Sequence, residues 1–301
     1  KVSEETPCID ITYKINGTLD SYTITDKDNN QQTYTYLYDT KNQLFQEVND
    51  GITRTYGYDN NGNITRKEVT NNDINSVYEY VYTNNRLTSI NKDNELYCEL
   101  AYDTIGNCTR YIKNNENNVL TWNYGNKLVQ YTTNNSTSTN TTKYDYNIDG
   151  KRVQKVLNDG TYIDYYYEGN TLLWEYRTKE GLHTKISYIY DQEGISGFGI
   201  QDFINNNGPA TVVYKYIKDR LGNVIGITDG NNLLAKYKYD AWGNHKVYDV
   251  LGNENTDSNF IGNINDMISL RYSVKEINKI YSSVSDEFLT SVILKEYVYD
   301  I

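Results

Sequence analysis

The sequence predicts an all-β chain made of repeated antiparallel hairpins, and three observations carry this prediction. Tyrosine accounts for 33 of the 301 residues and proline for only 2, a composition that suits β-sheets. The pattern Tyr-x-x-x-Gly recurs at Tyr13, Tyr58, Tyr102, Tyr146 and Tyr190, with spacings of 45, 44, 44 and 44 residues. A second kind of unit lies between these tyrosines, which gives an average step near 22 residues. A fixed period of this length is typical of repeat architectures.

The two kinds of unit differ in their turns. In the first kind, a strand that ends at Tyr58 is followed by Asp59, two asparagines and Gly62. The second kind is poor in glycine, and Asn84 or Asn85 is expected to take the left-handed backbone conformation there. The second kind is marked by Tyr38, Tyr82, Tyr124 and Tyr167. Because one hairpin alone is only marginally stable, the units are predicted to pair edge to edge in a continuing sheet.

The faces of this sheet are expected to be polar on both sides. Most predicted strands carry Tyr or Thr on one face and Lys, Glu, Asn or Thr on the other. A tyrosine can pack its ring on cross-strand neighbours while its hydroxyl contacts water, so we expect two partly solvated faces rather than a dry sandwich. Two stretches interrupt the rhythm: residues 134–142 are expected to form a long polar loop or turn, and residues 196–210 an insertion that packs on the sheet.

Residues 214–263 hold the most specific pattern. Here D-x-x-G-N-V-I-G-I-x-D begins at Asp219, and A-x-Y-x-Y-D-A-W-G-N begins at Ala235. Asp229-Gly230 lies between two apolar runs and predicts a hairpin. The combination resembles the core region of RHS/YD-repeat proteins, and the resemblance extends over roughly residues 10–263.

The resemblance implies a fold and a function. The fold would be a spiral of antiparallel YD-repeat β-hairpins that forms a hollow β-shell, at least in part. The function would be that of a non-enzymatic structural shell in a secreted or cell-surface bacterial toxin. The shell would enclose a C-terminal toxin or a partner segment, and this cargo is expected to belong to the same longer chain. No cofactor is implied.

The resemblance also suggests a division of the chain. Residues 1–263 would be the shell, with its core segment at 214–263, and residues 264–301 a divergent tail that caps the shell or begins the cargo. The tail lacks the Tyr-rich continuation and the D-P-x-G signature of the family. Apolar spacing predicts short helices at roughly 273–283 and 286–296, although the β-branched run TSVILKEYVYD suits a further strand equally well.

We expect the repeat to depend on a set of structural residues. Each Tyr ends a strand, each Asp begins a turn by accepting a backbone hydrogen bond two residues on, and each Gly has a positive φ. The set is Tyr13, Gly17, Tyr58, Asp59, Gly62, Tyr102, Asp103, Gly106, Tyr146, Gly150, Tyr190, Asp191, Gly194, Gly222, Asn223, Tyr239, Asp240, Trp242, Gly243 and Asn244.

Charge and composition exclude several classes of partner. The formal charge of −11, without a long basic run, argues against nucleic acid binding. No stretch approaches the ~18–20 consecutive apolar residues of a membrane span. The chain begins at Lys1, so we expect an internal piece of a longer protein whose targeting signal lies elsewhere. Cys98 and Cys108 flank a turn at a spacing that suits no disulfide, and they and Cys8 are predicted to be free thiols.

Catalytic and metal-binding candidates are weak in this sequence. His183 and His245 stand alone in predicted strands. The repeated aspartates that follow the tyrosines, Asp59, Asp103, Asp191 and Asp240, suit turns better than a carboxylate constellation or a calcium site. We therefore assign no catalytic, cofactor-binding or metal-binding residue.

Two further functions compete with the shell. Aromatic faces stack on sugar rings, so a patch of Tyr165, Tyr166 and Tyr167 with Trp122 or Trp174 could bind a glycan, although the same residues could simply form cross-strand ladders. The self-cleaving aspartyl protease of some RHS cores is the enzymatic alternative, but its motif region is missing from this sequence.

Overall fold

A computed structural model describes residues 8–25, 29–49, 51–113, 115–123, 125–192, 194–202, 211–218, 223–230, 232–239 and 245–249. All regular structure in these residues is β-strand. The tail helices predicted at 273–283 and 286–296 lie outside the described residues, as does the predicted division at residue 263. Gly222, Asp240, Trp242, Gly243 and Asn244 of the predicted structural set also lie outside them.

The strands fall into two compact units, which meet in sequence between Asn117 and Asn118. The first unit contains β1 (Cys8–Tyr13), β2 (Leu19–Thr25), β3 (Gln31–Tyr38), β4 (Leu44–Asn49), β5 (Ile52–Tyr58), β6 (Ile64–Asn71), β7 (Ile74–Thr83), β8 (Arg86–Lys92), β9 (Glu95–Tyr102) and β10 (Cys108–Lys113). The next strand, β11 (Glu116–Asn123), contains the boundary.

The second unit continues with β12 (Lys127–Asn134), β13 (Thr139–Tyr146), β14 (Arg152–Val156), β15 (Tyr162–Glu168), β16 (Thr171–Lys179), β17 (Leu182–Asp191), β18 (Gly194–Asp202), β19 (Thr211–Lys218), β20 (Val224–Thr228), β21 (Leu233–Tyr239) and β22 (His245–Tyr248). The described strands together hold more than half of the 301 residues.

Both units are meanders, in which each strand pairs with the next one in sequence. From β1 to β10 every such pairing is antiparallel. The same holds from β12 to β22. The predicted all-β fold of antiparallel hairpins is therefore confirmed.

A β-bulge precedes most of the repeated tyrosines. The register shifts between Gly57 and Tyr58, for example, and sets Tyr58 opposite Ile64 at the start of the next strand. Nearby hydroxyls support the bulges: the Thr88 hydroxyl donates to the Val81 carbonyl at 3.1 Å. Each repeated tyrosine among the described residues lies at or near the end of an odd-numbered strand. The turns that follow these strands, of both kinds, therefore lie along one edge of the sheet in each unit, here called the tyrosine edge.

The two expected interruptions have different outcomes. Of the loop or turn expected at residues 134–142, the structure shows a turn, because β12 runs to Asn134 and β13 begins at Thr139. The Asn135 side-chain oxygen accepts hydrogen bonds from the Thr137 and Ser138 amides at 3.0 and 2.8 Å, which closes a tight turn. The stretch that begins at residue 196 is β-strand as far as Asp202, paired on both sides, rather than a packed insertion; residues 203–210 lie outside the described residues.

The two faces of the sheet differ in burial, so the expectation of two partly solvated faces is also wrong. Tyr34, Tyr56, Tyr80 and Tyr111 are at most 5% exposed, whereas their neighbours along the strands point to a more exposed side. We call these sides the buried face and the exposed face of each unit. Tyrosine serves the buried face because its ring packs like an apolar side chain while its hydroxyl bonds a neighbour.

The buried face of the second unit becomes apolar toward β22. Its core cluster consists of Ile186, Tyr188, Phe198, Val224, Ile227, Ala235, Tyr237 and Val247. Phe198 is fully buried and stacks on Tyr214, with ring centroids 5.1 Å apart. Strands β20 to β22 supply five of its eight residues, so the segment with the most specific sequence pattern also builds the apolar part of the sheet.

Cys98 and Cys108 lie on the paired strands β9 and β10 but not opposite each other. Cys108 lies opposite Tyr102, and Cys98 lies opposite Lys113. Both are buried and free, as predicted. In the described part of the chain, no helix is long and apolar enough to cross a membrane.

Candidate functional site: the tyrosine edge and the buried face

The aspartate of the repeat holds its own turn. Asp59 Oδ1 accepts hydrogen bonds from the amides of Asn61 and Asn63 at 2.8 and 2.9 Å, and Asp59 Oδ2 accepts one from the Asn63 side chain at 2.9 Å. Asp103 makes the same contacts with Ile105 and Asn107. The hydrogen bonds from Asn63 lower the pKa of Asp59. These carboxylates are therefore used by the fold, as the turn interpretation requires.

The turns that contain glycine need its backbone freedom. Gly62, Gly106 and Gly150 have φ of 87°, 105° and 76°, in the region that side chains disfavour. In the second kind of turn, Asn84 and Asn85 both take this conformation, with φ of 52° and 62°. Asn tolerates it better than other residues that carry a side chain, which explains how the turn after Tyr82 forms without glycine. Two other turns of this kind do contain glycine at positive φ, Gly125 (85°) and Gly169 (54°).

Substituting these glycines tests the turns. Gly62→Ala, Gly106→Ala and Gly150→Ala should each lower the free energy of unfolding by about 1 kcal/mol or more, because alanine is strained at positive φ. The urea midpoint of each variant measures this. Gly57→Ala is the control, since Gly57 lies in a strand, lacks a positive φ, and its added Cβ would have no neighbour nearer than 3.6 Å. Unchanged midpoints in all three turn variants would contradict the assigned turns.

The repeated tyrosines are bonded through their hydroxyls. Tyr58 donates to the carbonyl of Leu44 at 2.7 Å, and Tyr82 donates to that of Ile64 at 3.0 Å. In the second unit, Tyr146 and Tyr190 donate in the same way to Leu128 and Leu172 at 2.9 and 2.6 Å. Each bond reaches the first or second residue of the neighbouring strand in the preceding hairpin. Phenylalanine could not make it, which explains why the repeat uses tyrosine.

Burial changes the acidity of these phenols. Loss of solvent, with a smaller contribution from Asp39, raises the pKa of Tyr58 to about 12. The pKa of Tyr82 is also raised, again first by burial and then by Asp59. Both hydroxyls therefore keep their protons at neutral pH and can donate to the carbonyls.

Neighbouring turns along the tyrosine edge are joined side by side. In the first unit, Asn16 donates to Asn42 at 2.8 Å and Asn63 donates to Asn85 at 2.6 Å. In the second unit, the Lys127 ammonium lies 5.8 Å from the centre of the Tyr146 ring. These contacts join each hairpin to the next beyond the strand pairing itself.

Arginine and lysine at this edge also reach backbone carbonyls. Arg86 Nη1 donates to the Asp103 carbonyl at 3.3 Å, and its guanidinium lies 6.0 Å from the centre of the Tyr102 ring. The Lys151 ammonium donates to the Gly169 carbonyl and lies 5.8 Å from the Tyr167 ring. These two cations each donate a hydrogen bond to a carbonyl of the next hairpin's turn and also contact an aromatic ring, which strengthens the attachment between neighbouring turns.

The buried face of the first unit contains ionic groups. Glu47 is 1% exposed and lies opposite Arg54, which is 5% exposed; Arg54 Nη1 is 3.4 Å from Glu47 Oε1. The Tyr56 hydroxyl donates to the same oxygen at 3.0 Å. On the next strand, Lys67 is 4% exposed, and its ammonium lies 5.5 Å from the centre of the Tyr78 ring. Charges on this face are held by each other and by tyrosines.

The buried face of the second unit contains a larger ionic set, which we call the β14–β16 cluster. It consists of Tyr144, Arg152, Lys155, Tyr165, Glu175 and Arg177. Glu175 is fully buried, and its Oε1 lies 2.8 Å from Arg177 Nε and 2.7 Å from Arg177 Nη2. The Arg152 guanidinium lies 4.7 Å from the centre of the Tyr144 ring. Arg152 lies opposite the repeated tyrosine Tyr146, in the way that Leu172 lies opposite Tyr167.

Sequence reasoning missed these buried charges, although the repeat contained a signal for them. A position three residues on from the first or second residue of each even-numbered strand from β4 to β20 is buried. Counting from Leu44, Ile64, Leu87, Cys108, Leu128, Arg152, Leu172, Ile195 and Val224 reaches Glu47, Lys67, Ile90, Tyr111, Tyr131, Lys155, Glu175, Phe198 and Ile227. Each of these residues is at most 6% exposed. Aligning the repeats on that strand start would have placed the charged members among the apolar ones.

The structure does not gather the other predicted candidates into a chemical site. His183 lies on β17, where its Nδ1 is 2.9 Å from the Thr178 hydroxyl; the His245 side chain is not described. No group of His, Cys, Asp or Glu that could hold a metal ion occurs among the described residues. Tyr13, Gly17, Tyr190, Asp191 and Gly194 lie at the tyrosine edge. Asn223 directly precedes β20, and Tyr239 is the last residue of β21.

The aromatic patch considered for glycans is split between the two faces. Tyr165 is buried, whereas Tyr166 is 43% exposed and lies opposite Trp174. The Tyr166 and Trp174 rings stack on each other with centroids 5.5 Å apart, and the Lys185 ammonium lies 4.6 Å from the Trp174 ring. This is the geometry of a cross-strand ladder.

Comparison with curated proteins finds relatives that are named as nucleases. The chain is 31% identical over 213 residues to the tRNA3(Ser)-specific nuclease WapA of Bacillus spizizenii. It is 30% identical over 213 residues to the tRNA nuclease WapA of Bacillus subtilis. Each match covers 69% of this chain but only 8% of the relative. No family model matches the chain.

These relatives agree with the hairpin step and with the paired motifs that begin at Asp219 and Ala235. The chain belongs to the RHS/YD-repeat proteins. Its repeated Tyr-Asp pair, as at Tyr58-Asp59 and Tyr102-Asp103, combines two kinds of hydrogen bond. The Tyr58 hydroxyl donates to a carbonyl of the previous hairpin, and each aspartate accepts hydrogen bonds from amides of its own turn.

Solved structures show more distant likenesses to this RHS/YD-repeat chain. The crystal structure of TcdB2-TccC3 is 10% identical, with a TM-score of 0.41, over 80% of this chain and 18% of that one. TcdB2-TccC3 without its hypervariable C-terminal region gives the same score and identity over 80% and 17% of the respective chains.

Proposed function

We propose that this chain is a stretch of a non-enzymatic protein wall in a secreted or cell-surface bacterial toxin, and that the wall encloses a toxin segment of the same longer polypeptide. The observation that carries the proposal is the unbroken hairpin meander within each unit, whose turns are also joined side by side along the tyrosine edge. A sheet attached in two ways to each neighbour resists local opening and suits a barrier.

The relatives support the proposal in a second way. They are named as nucleases, and this chain corresponds to a small share of their length. In the proposal, catalysis belongs to a different part of the polypeptide. This chain contributes steric isolation, and ionic and tyrosine groups of its buried face bond one another, as Glu47 does with Arg54 and Tyr56. An enclosed, partly unfolded segment then finds few open backbone or apolar partners.

Protease protection tests this function. The natural full-length polypeptide that carries this chain is digested with a nonspecific protease, and the fragments are identified by mass spectrometry. We expect a segment outside residues 1–263 to survive, and to be cleaved when Gly62→Ala and Gly106→Ala are combined to loosen the wall. Equal cleavage of that segment in the intact protein would refute enclosure. Spontaneous cleavage without added protease would instead favour the self-cleaving alternative.

Glycan binding at Tyr166 and Trp174 stays a prediction. Each ring already has a neighbour on a face, which leaves less surface for a sugar to stack on. The purified chain applied to a glycan array decides the question. Saturable binding that is lost in Trp174→Ala would support a glycan site, and its absence would leave the cross-strand ladder as the role of these rings.

A further inference from the structure

Positive charge is concentrated in the last strands of the second unit. Strands β19 to β22 contain five lysines and no aspartate or glutamate, although the whole chain has a formal charge of −11. Exposed cations elsewhere lie beside carboxylates: Arg66 contacts Glu68 and Glu79, and Lys179 contacts Asp159. An acidic protein therefore has one group of strands whose charges are all positive.

Strand geometry places four of these lysines on the exposed face. Tyr214, Ala235, Tyr237 and Val247 belong to the buried core cluster or pack against it. Side chains alternate between the two faces of a strand, so the neighbours of these residues point to the opposite side. We call the resulting set the lysine face; its members, which are exposed or half-buried, are Lys215, Lys236, Lys238 and Lys246.

Exposed apolar side chains lie next to these lysines. Val213 is 40% exposed and lies two residues before Lys215, on the same face of β19. Ile189 is also 40% exposed and lies opposite Gly197, which lies opposite Lys215. Apolar surface gains free energy when it leaves water. This face therefore offers a partner both positive charge and apolar area.

Glycines leave the middle of this surface without projecting side chains. Gly197 and Gly199 lie on it in β18, opposite Lys215 and Val213, and Gly226 lies on it in β20, opposite Lys236. A broad cationic surface with exposed apolar side chains suits the interface of an anionic bilayer. There, lysine ammonium groups meet lipid phosphates while their stems and other apolar groups enter the headgroup boundary.

We propose that the lysine face, together with Ile189 and Val213, docks on the surface of an anionic lipid bilayer. A nucleic acid or an acidic peptide would use the charge but not the two apolar side chains. Because the chain as a whole is acidic, an anionic bilayer attracts this face and repels the others, which orients the protein on the surface. The docking goes beyond the proposed wall and does not depend on what the wall encloses.

Co-sedimentation of the whole chain with vesicles tests the docking. Vesicles of equal parts phosphatidylglycerol and phosphatidylcholine are compared with vesicles of phosphatidylcholine alone. We expect binding to the anionic vesicles at low ionic strength, progressive loss of binding as salt is added, and little binding to the neutral vesicles. Absence of binding to the anionic vesicles overturns the proposal.

Lysine variants locate the contact. Lys215→Gln and Lys236→Gln should each weaken vesicle binding about fivefold, the equivalent of about 1 kcal/mol for a lysine near an anionic surface. Lys143→Gln is the matched control and should bind as wild type does. It changes the net charge equally, and Lys143 is an exposed lysine of the second unit with Asp145 on its own strand and face. Equal Tm values show that the variants are folded.

The apolar side chains distinguish a bilayer from a soluble polyanion. Ile189→Ser combined with Val213→Ser keeps every charge and should also weaken vesicle binding, because only a bilayer receives apolar side chains. Weaker binding in this variant and in both lysine variants, with Lys143→Gln unchanged, supports the proposal. Equal weakening by Lys143→Gln, unchanged binding of the serine variant, or binding of polyglutamate or DNA without binding of vesicles overturns it.

Discussion

Replacing Glu47 with alanine should lower the stability of the first unit by about 3–5 kcal/mol, because it leaves the Arg54 guanidinium buried without its carboxylate. Glu47 is 1% exposed, and its Oε1 lies near both Arg54 Nη1 and the Tyr56 hydroxyl. Removing one partner of a buried pair costs far more than the pair itself contributes. Urea denaturation followed by tyrosine fluorescence measures the loss.

Two controls separate this effect from general loss of charge. Glu68→Ala removes the carboxylate that lies 2.8 Å from Arg66, but both of those side chains are more than a third exposed, so the change should cost at most about 1 kcal/mol. The double variant Glu47→Leu with Arg54→Met should recover most of the stability, since well-packed apolar residues can replace a buried pair. Equal losses for Glu47→Ala and Glu68→Ala would contradict the importance of burial.

Phe198→Ala should destabilise the second unit by about 3–5 kcal/mol, the usual cost of truncating a fully buried aromatic side chain. Phe198 is 0% exposed, stacks on Tyr214 and lies opposite it across β18 and β19. The substitution opens a cavity among residues of adjacent strands, which cannot collapse without breaking the sheet's register. The urea midpoint and the Tm both report the change.

Phe45→Ala is the matched control for this substitution. Phe45 is the same residue type, but it is 47% exposed. Its truncation should cost less than about 1 kcal/mol, because little apolar surface is removed from contact with the protein. If Phe198→Ala and Phe45→Ala had equal effects, the apolar cluster near β22 would not be a core.

Local chemistry made the hairpins predictable from the sequence. The order Tyr58, Asp59, Gly62 specifies a strand end, a capped turn and a positive φ within five residues, and no distant contact is needed to read it. The same holds for Asn84 and Asn85. Because this information recurs at a fixed period, the antiparallel meander follows from it directly.

Burial was harder to predict, because it depends on which face the rest of the unit covers. Tyr, Thr and Lys occur on both faces, so alternation alone gave no sign that Glu47 and Lys67 point to the same side as Tyr56. The hydrogen bond from the Tyr58 hydroxyl to the Leu44 carbonyl could not be predicted either, because it joins residues of two neighbouring strands.

The side-by-side contacts of the tyrosine edge also bear on how such a chain can lengthen or shorten over generations. Asn16 and Asn42, Asn63 and Asn85, and Arg86 and Asp103 each join turns of unlike kind. Duplicating one hairpin would place two like turns next to each other and lose these contacts, whereas duplicating a pair keeps every neighbour unlike. The unit of gain or loss is therefore two hairpins, which accounts for a spacing of 44 residues, rather than 22, between tyrosines of the same kind.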